Sequence, residues 1–222
     1  MRNRFGLISH ARRDQQHLVL ELCAGFCLDN GAFSAWRRGE TVDWNKYQQW
    51  VLEMSTHPGY QFAILPDVVD GTEEENDALL DEWKLPCGVP VFHQGEDFNR
   101  LEWLMAHYPM IAISSVEKSL PSVTFDEWMS ECMKVLCRPN GTPRVRIHGL
   151  RMLNHKIFTK YPLYSADSSV VGQNCADPGK FTGSFAPVST EVRGAVMLDR
   201  LDSYQSPWSF KPAPVEQLPL FG

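Results

Sequence analysis

The sequence predicts an α/β fold in which parallel strands alternate with helices and close into a small barrel. Short apolar runs recur along the chain, and each one stops at a polar or glycine cluster. Segments with apolar residues at helical spacing separate most of these runs. Strands that alternate with helix-length segments form parallel βαβ units with right-handed connections. About seven or eight such units close more readily into a (β/α)8-like (TIM) barrel than into an open sheet. We therefore expect a barrel, with an open doubly wound sheet as the alternative.

The apolar runs are the expected strands. The first is Phe5–Ser9, and the second ends at Asp29, where Asn30-Gly31 forces a turn. The type of the apolar segment Leu18–Cys23 between them stays open. The later expected strands are 61–66, 89–93, 110–114, 144–148 and 162–166.

Helices are expected between the strands. Asp43 is a suitable N-cap for a helix over Trp44–Met54. Thr72 and Glu75 have the spacing of a capping box for a helix that runs to Trp83. The remaining expected helices are Phe98–His107, Thr124–Leu136, Leu150–Thr159 and Arg193–Leu201.

Length and composition are those of an ordinary globular chain. Its 222 residues are 43% apolar and 22% charged, which is enough for one sizeable core. No apolar run approaches the roughly 18 residues of a membrane span, and the basic stretch Met1–Arg13 lacks the apolar segment of a secretory signal. We expect a cytoplasmic protein without membrane contact. It would have one domain over residues 1–202 and an extended, Ser- and Pro-rich tail over residues 203–222.

The sequence carries no metal or cofactor motif. Its six cysteines form no CxxC pair and no group with histidine, whereas structural zinc sites normally show such spacing. No GxGxxG or GxxxxGK(S/T) pattern follows an expected strand, which argues against dinucleotide and P-loop sites. We expect reduced thiols, no metal and no cofactor. The net charge of −6 argues against a chain coated in basic residues, but it leaves room for a local basic surface.

Polar side chains follow the expected strands at the point where each strand ends. In a parallel barrel, all of these ends surround one pocket. Each residue alone has an ordinary explanation, because acids and amides after strands commonly form turns or cap helices. Their shared position nevertheless favours a functional role. The residues are Asp29, Asp67, Asp70, Gln94, Ser114, His148 and Asp167.

Two carboxylates that face each other across a small pocket suit the exchange of a group at a sugar carbon. One attacks the anomeric carbon, and the other carries protons to the departing base and from the incoming base. An amide such as Gln94 offers a paired donor and acceptor to the edge of a purine.

Five short segments follow one another in the order of one enzyme superfamily. Asp29–Phe33 resembles its Asp-Ser-Gly-Gly-Phe turn, and Phe92–Gly95 resembles its Val-Gln-Gly segment. Ala112–Ser115 resembles its Ala-Ile-Gly-Gly strand. Ile147–Gly149 and Ser165–Ser168 resemble a glycine-containing strand and the Phe-Asp-Cys nucleophile strand after it. Over residues 26–170 the chain thus resembles the tRNA-guanine transglycosylase superfamily. In kind it is most similar to the DNA 7-deazaguanine transglycosylases of phages and bacterial modification islands.

The resemblance implies an enzyme that exchanges a guanine in DNA for a 7-deazaguanine base of the preQ0 type, through a covalent aspartyl intermediate. It implies Asp167 as the nucleophile and Asp29 as the general base. The substrate-binding residues that it implies are Asp67, Asp70, Gln94, Gly95, Ser114, Ser115, His148, Gly149 and Phe33.

This chain departs from the tRNA-acting enzymes in three respects. Only Cys175 lies where those enzymes carry a cysteine-rich zinc site, Ser114-Ser115 replaces the Gly-Gly pair, and the chain is much shorter. These differences favour DNA over tRNA as the substrate.

DNA binding by an acidic protein requires a local basic surface. Arg37 and Arg38 follow the Asp29 turn on an expected loop, while Arg146 and Arg151 flank His148. We expect these four arginines to contact phosphates beside a flipped-out base. The alternative is that they belong to the solvated surface, as most charge pairs do.

The last residues of the sequence form a motif of their own. Gln217, Leu218, Leu220 and Phe221 resemble the Gln-Leu-x-Leu-Phe peptide through which bacterial proteins bind the β sliding clamp. In such a peptide the amide sets the orientation and the last two apolar side chains enter a pocket. A tail that packs on its own barrel is the alternative.

Two other functions fit the same residues. A nucleobase or nucleoside hydrolase would use the same two carboxylates, and a non-catalytic barrel would act as a nucleic-acid- or clamp-binding module. The presence of both Asp29 and Asp167 favours the enzymatic functions.

Overall fold

The computed structural model describes residues 4–115, 123–181 and 185–212. Strands and helices alternate along these residues. The strands are β1 (Phe5–Ser9), β2 (Gly25–Asp29), β3 (Tyr60–Ala63), β4 (Val91–His93), β5 (Met110–Ser114), β6 (Arg146–Gly149) and β7 (Ser165–Ala166). The α-helices are α1 (Gln16–Leu22), α2 (Ala32–Arg38), α3 (Trp44–Ser55), α4 (Glu73–Glu82), α5 (Phe98–His107), α6 (Phe125–Leu136), α7 (His155–Phe158), α8 (Val170–Asn174) and α9 (Thr190–Asp202). Short 3-10 helices cover His10–Gln15 and Pro178–Lys180.

The strands pair in parallel, which confirms the α/β class. One sheet has the order β1-β2-β3 and the other the order β4-β5-β6-β7. A parallel bridge between Ile64 and Val89 links the two sheets, just after β3 and just before β4. Strand order therefore follows chain order, without the reversal that marks a doubly wound sheet.

The closed (β/α)8 barrel that we expected is not shown. Within the described ranges the strands form sheets of three and four, and no hydrogen-bonded pair joins β7 to β1. Strand β7 is also shorter than the expected 162–166. Pro162 has no N–H to give to a sheet, and the N–H of Leu163 donates to the backbone oxygen of Tyr161 instead.

Strand register places the carboxyl ends of the strands along one edge. Ser9 pairs with Asp29, the last residue of β2, and His93 pairs with Ser114 at the ends of β4 and β5. Gly149 of β6 pairs with Ala166, directly before Asp167. The polar residues after the strands therefore belong to one side of the sheets, as the parallel arrangement requires.

Two large apolar clusters hold the helices against the sheets. Tyr47 and Trp50 of α3 pack on the first sheet and are almost fully buried, and the Tyr47 hydroxyl donates to the backbone oxygen of Ile64 at 2.6 Å. Leu104 of α5 and Met129 of α6 are fully buried against the second sheet. The apolar residues that recur at helical spacing in these segments of the sequence are those that face the sheets.

Helix α2 lies where we expected a loop. It follows Gly31, whose φ of +80° is left-handed, and it ends at Gly39, whose φ is +67°. Asn30 supports its start, because Oδ1 of Asn30 accepts a hydrogen bond from the N–H of Ala32 at 2.9 Å.

The structure also defines the type of one segment and the length of another that the sequence did not determine. Leu18–Cys23, left open from sequence, is helical in α1 up to Leu22. The expected helix over Leu150–Thr159 is reduced to the short α7, because Arg151 has a φ of +60° that an α-helix cannot contain. Among the described residues, no helix is both long and apolar enough to cross a lipid bilayer.

Candidate active site

A cavity of about 490 Å³ lies at the carboxyl ends of the strands. It gathers side chains from strands that lie far apart in sequence, as the strand-end positions predicted. Seven residues expected at a site line it together: Asp29, Phe33, Asp67, Ser114, His148, Arg151 and Asp167.

Asp29 is the last residue of β2, and the cavity shifts the pKa of its carboxyl group. Its Oδ2 accepts a hydrogen bond from the N–H of Gly31 at 3.1 Å. Burial raises the pKa of Asp29 to about 6 against the opposing effect of the Ser9 hydroxyl, and the charges of Asp167 and Asp67 add to the rise. A carboxyl group with a pKa near neutrality both accepts and donates a proton efficiently.

Asp167 follows β7 and is held at several points. Its Oδ1 accepts a hydrogen bond from the N–H of Arg151 at 2.9 Å. The backbone N–H of Asp167 donates to the backbone oxygen of Gly149 at 3.2 Å, and the backbone oxygen of Asp167 accepts from the N–H of Leu153 at 2.9 Å. Its side chain nevertheless remains 18% exposed, so that a ligand in the cavity can reach it.

His148 faces Asp167 from the neighbouring strand β6. Nδ1 of His148 lies 2.8 Å from Oγ of Ser165, while Nε2 is buried, has no hydrogen-bond partner and lies 3.4 Å from Oδ1 of Asp167. When Ser165 donates to Nδ1, the proton of the neutral imidazole is on Nε2 and faces the carboxylate.

Arg151 forms one wall of the cavity. Its Nη2 donates to Oγ of Ser114 at 3.1 Å and to the backbone oxygen of Ser115 at 2.9 Å. Its guanidinium carbon lies 4.0 Å from the centre of the Phe33 ring, in cation–π geometry. Arg151 is also the one non-glycine residue with a positive φ in the described part of the chain. Such strain persists where surrounding contacts enforce it, typically at functional sites.

Asp67 belongs to a buried network in another part of the cavity wall. Nδ2 of Asn30 donates to Oδ1 of Asp67 at 2.5 Å, and Nε2 of His93 lies 2.8 Å from Oδ2. Burial lowers the pKa of His93, but the hydrogen bond and charge of Asp67, together with the charge of Glu96, outweigh that effect and raise it. Each oxygen of Asp67 thus has a protein partner already, and only its remaining lone pairs are available to a ligand.

Three expected base-binding residues line a neighbouring cavity instead. Asp70, Gln94 and Gly95 belong to a second cavity of about 720 Å³, and His93 lines both cavities. Oε1 of Gln94 accepts a hydrogen bond from Oγ of Ser115 at 2.6 Å. The structure therefore links Gln94 and Ser115 to each other and does not bring them into the cavity of the two catalytic candidates.

Gly149, which we expected to bind substrate, packs closely against neighbouring side chains. An added Cβ would lie 2.8 Å from Cβ of Met152 and 2.9 Å from Cδ1 of Leu163. We expect Gly149→Ala to lower the free energy of unfolding by about 1–3 kcal/mol, measured by urea denaturation. Gly172→Ala is the matched control, because no atom lies within 4 Å of its added Cβ. Equal stability of the two variants would contradict the packing role.

The other arginines are dispersed. Arg37 and Arg38 are exposed on α2, and Nε of Arg38 lies 2.8 Å from Glu40. Arg146 begins β6, at the opposite end of the strand from the cavity, and stacks on Tyr164 with its guanidinium carbon 4.7 Å from the ring centre. Only Arg151 of the four reaches the cavity. The clamp-like residues Gln217, Leu218, Leu220 and Phe221 lie outside the described residues.

Sequence reasoning missed three residues that shape the cavity. Asn30 and His93 complete the network around Asp67, and Ser165 binds His148. All three lie inside segments already singled out for other residues. Strand-end position was the available signal for Asn30 and His93, whereas Ser165 begins β7.

No grouping of three or more histidine, cysteine, aspartate or glutamate side chains within the described ranges is arranged to hold a metal ion. All six cysteines are free thiols.

Comparison of the chain with protein-family models, with curated proteins and with solved structures found no match.

Proposed function

We propose that the protein is a DNA-modifying transglycosylase that exchanges a guanine base for a 7-deazaguanine base of the preQ0 type, with Asp167 as nucleophile and Asp29 as acid and base. One observation carries the proposal: both carboxylates line a single cavity at the carboxyl ends of parallel strands. The unbroken strand order supports a (β/α)8-like barrel as the architecture. The reaction would take place in the bacterial cytoplasm, where the DNA is.

In the first half-reaction, a carboxylate oxygen of Asp167 attacks C1′ of a flipped-out deoxyguanosine. The bond from C1′ to N9 breaks, its electron pair goes to the base, and Asp29 gives the departing guanine its proton. A carboxyl group with a pKa near 6 is partly protonated at neutral pH, which suits it to this step. The sugar is then esterified to Asp167.

The second half-reaction reverses these steps with a different base. Asp29, now ionised, takes the N9 proton of the incoming 7-deazaguanine, and N9 attacks C1′. Asp167 leaves as a carboxylate. The N–H of Arg151 and Nε2 of His148 both face Oδ1 of Asp167, where charge returns in this step. Fixed donors at the site of developing charge are the usual means of lowering such a barrier.

Labelled base exchange tests the proposal directly. Purified protein is incubated with plasmid DNA and isotope-labelled 7-cyano-7-deazaguanine, and the digested nucleosides are analysed by mass spectrometry. We expect a labelled deoxynucleoside and one released guanine for each base incorporated, with little incorporation into tRNA offered in parallel. Guanine release without incorporation would identify the hydrolase. If neither labelled deoxynucleoside nor free guanine forms, the protein is the non-catalytic module.

The C-terminal motif provides a separate prediction about partners. We expect a peptide containing Gln217 to Phe221 to bind a bacterial β clamp at about micromolar affinity. Replacing Leu220 and Phe221 with alanine should weaken binding by about 2–4 kcal/mol, because both apolar anchors are lost. Titration calorimetry measures the loss. The same double variant should keep the wild-type melting temperature and activity on short DNA. A lower melting temperature would show that the motif packs on the domain.

A further inference from the structure

The gap between β1 and β7, which we call the seam, is an open side of the fold. In the described part of the chain β1 pairs with β2 alone and β7 with β6 alone, so that each has an unpaired edge at the seam. Free strand edges are normally covered or blocked by charge. Here a cavity of about 790 Å³ lies between them, bounded on its outer side by α9.

The seam cavity adjoins the candidate active site. Five residues line both cavities and lie on the boundary between them: Phe5, Leu153, Ser165, Ala166 and Leu198. Asp167 directly follows two of these residues in the chain. Only this shared layer of side chains therefore separates the seam cavity from the candidate active site.

The walls of the seam suit a flat, uncharged heterocycle. Phe5 is 62% exposed and Tyr164 is 58% exposed, and both aromatic side chains line the seam cavity, with Arg146 stacked on the Tyr164 ring. Among the charged residues that line the seam cavity, Arg4 and Asp202 are bound to each other at 2.8 Å, and Asp199 also binds Arg4 at 2.7 Å. With these charges paired, the aromatic walls favour stacking of a neutral base.

Base exchange requires one free base to leave and another to enter while the sugar is esterified to Asp167. A DNA strand seated over the opening at the carboxyl ends would obstruct that side, so that a second route would serve the exchange. We propose that the seam is the passage for the free purine-type base, which moves between solvent and the active site without release of the DNA. This inference rests on the proposed transglycosylase activity and adds no chemical step to it.

The substitution Leu198→Trp tests the passage. Leu198→Trp narrows the seam from α9, and Val192→Trp is the matched control on the same helix, because Val192 is 49% exposed and lines neither cavity. We expect Leu198→Trp to slow the exchange of labelled guanine into saturating duplex DNA by about tenfold or more. Binding of labelled guanine to the DNA-free protein should stay within about twofold of wild type, because the opening at the strand ends is then free. The control should match wild type in both assays.

A second variant covers the case in which Leu198→Trp does not fold. Leu198→Ala widens the seam, and we expect it to raise the exchange rate of a bulky 7-substituted 7-deazaguanine relative to that of guanine. An unchanged ratio in this variant would overturn the passage, as would wild-type exchange by a folded Leu198→Trp. An equal loss of guanine binding without DNA would also overturn it, since Leu198 would then belong to the binding site itself. Absence of exchange by the wild-type protein would instead overturn the transglycosylase activity, and the passage with it.

Discussion

We expect Asp167→Asn to reduce base exchange by at least about 10³-fold. A carboxamide cannot form the ester with C1′, so no covalent intermediate is possible. The fold should be preserved, because the amide oxygen of asparagine can still accept the hydrogen bond that the N–H of Arg151 now donates to Oδ1. The backbone contacts of residue 167 with Gly149 and Leu153 do not involve its side chain.

Incorporation of the labelled base and a denaturing gel for the protein–DNA adduct measure this loss together. Asp81→Asn is a suitable control, because it makes the same chemical change at an exposed carboxylate on α4. The control should keep wild-type exchange, and both variants should keep the wild-type melting temperature. If a folded Asp167→Asn protein still exchanges bases, another residue is the nucleophile.

Local sequence signals predicted some of the helices that begin with side-chain caps, whereas α7 and the start of α9 differ from the expected bounds. Thr72 and Glu75 form the expected capping box at α4, and α5 spans the expected residues Phe98–His107 after its cap Asp97. These signals involve residues only three or four positions apart, so that they can be recognised from the sequence. Helix α2 was missed because Gly31 precedes it in a left-handed conformation, which the sequence also allows in a turn.

Barrel closure could not be predicted from such local signals, because it depends on contacts between the two ends of the domain. The pattern of strands and helices predicts parallel pairing between neighbours, which the structure has. It says nothing about whether β7 meets β1. In the described residues α9 lies beside that gap, with Asp199 and Asp202 bound to Arg4 just before β1. Such contacts between distant residues are set by tertiary packing.

The site could be predicted as far as strand ends determine it. Asp29, Asp67 and Asp167 share a cavity because parallel strands bring their carboxyl ends together. Hydrogen-bond partners were beyond this reasoning. Gln94 pairs with Ser115 rather than facing the same cavity, and no local pattern distinguishes these outcomes. Closeness to His148 in the sequence also did not predict which arginines reach the cavity. Arg146 and Arg151 lie on either side of β6, so that only Arg151 is at the cavity end of the strand.

The last expected result concerns Asp29→Asn, which should gain stability and lose activity. The folded protein raises the pKa of Asp29 from 3.8 to about 6, mainly through burial. Below pH 4 the carboxyl group is protonated in both the folded and unfolded states, and its favourable contribution is complete. As the pH rises from 3.8 to 6, the unfolded state ionises while the folded state resists, so that this contribution is lost, and the loss is complete above pH 6. The loss amounts to at most about 3 kcal/mol.

Asparagine cannot ionise, so Asp29→Asn should be more stable than wild type at pH 8 and nearly equal to it at pH 4. Urea unfolding at both pH values measures the difference, with Asp81→Asn as the control that should show no such pH dependence. Exchange should fall by about 10²-fold or more, because the incoming base keeps its N9 proton. Any adduct with Asp167 that forms without this proton donor should then persist on denaturing gels, because its discharge also requires Asp29. A variant that loses stability at pH 8 would show that the ionised carboxylate of Asp29 holds the fold together, and Asp29 would no longer be the candidate acid and base.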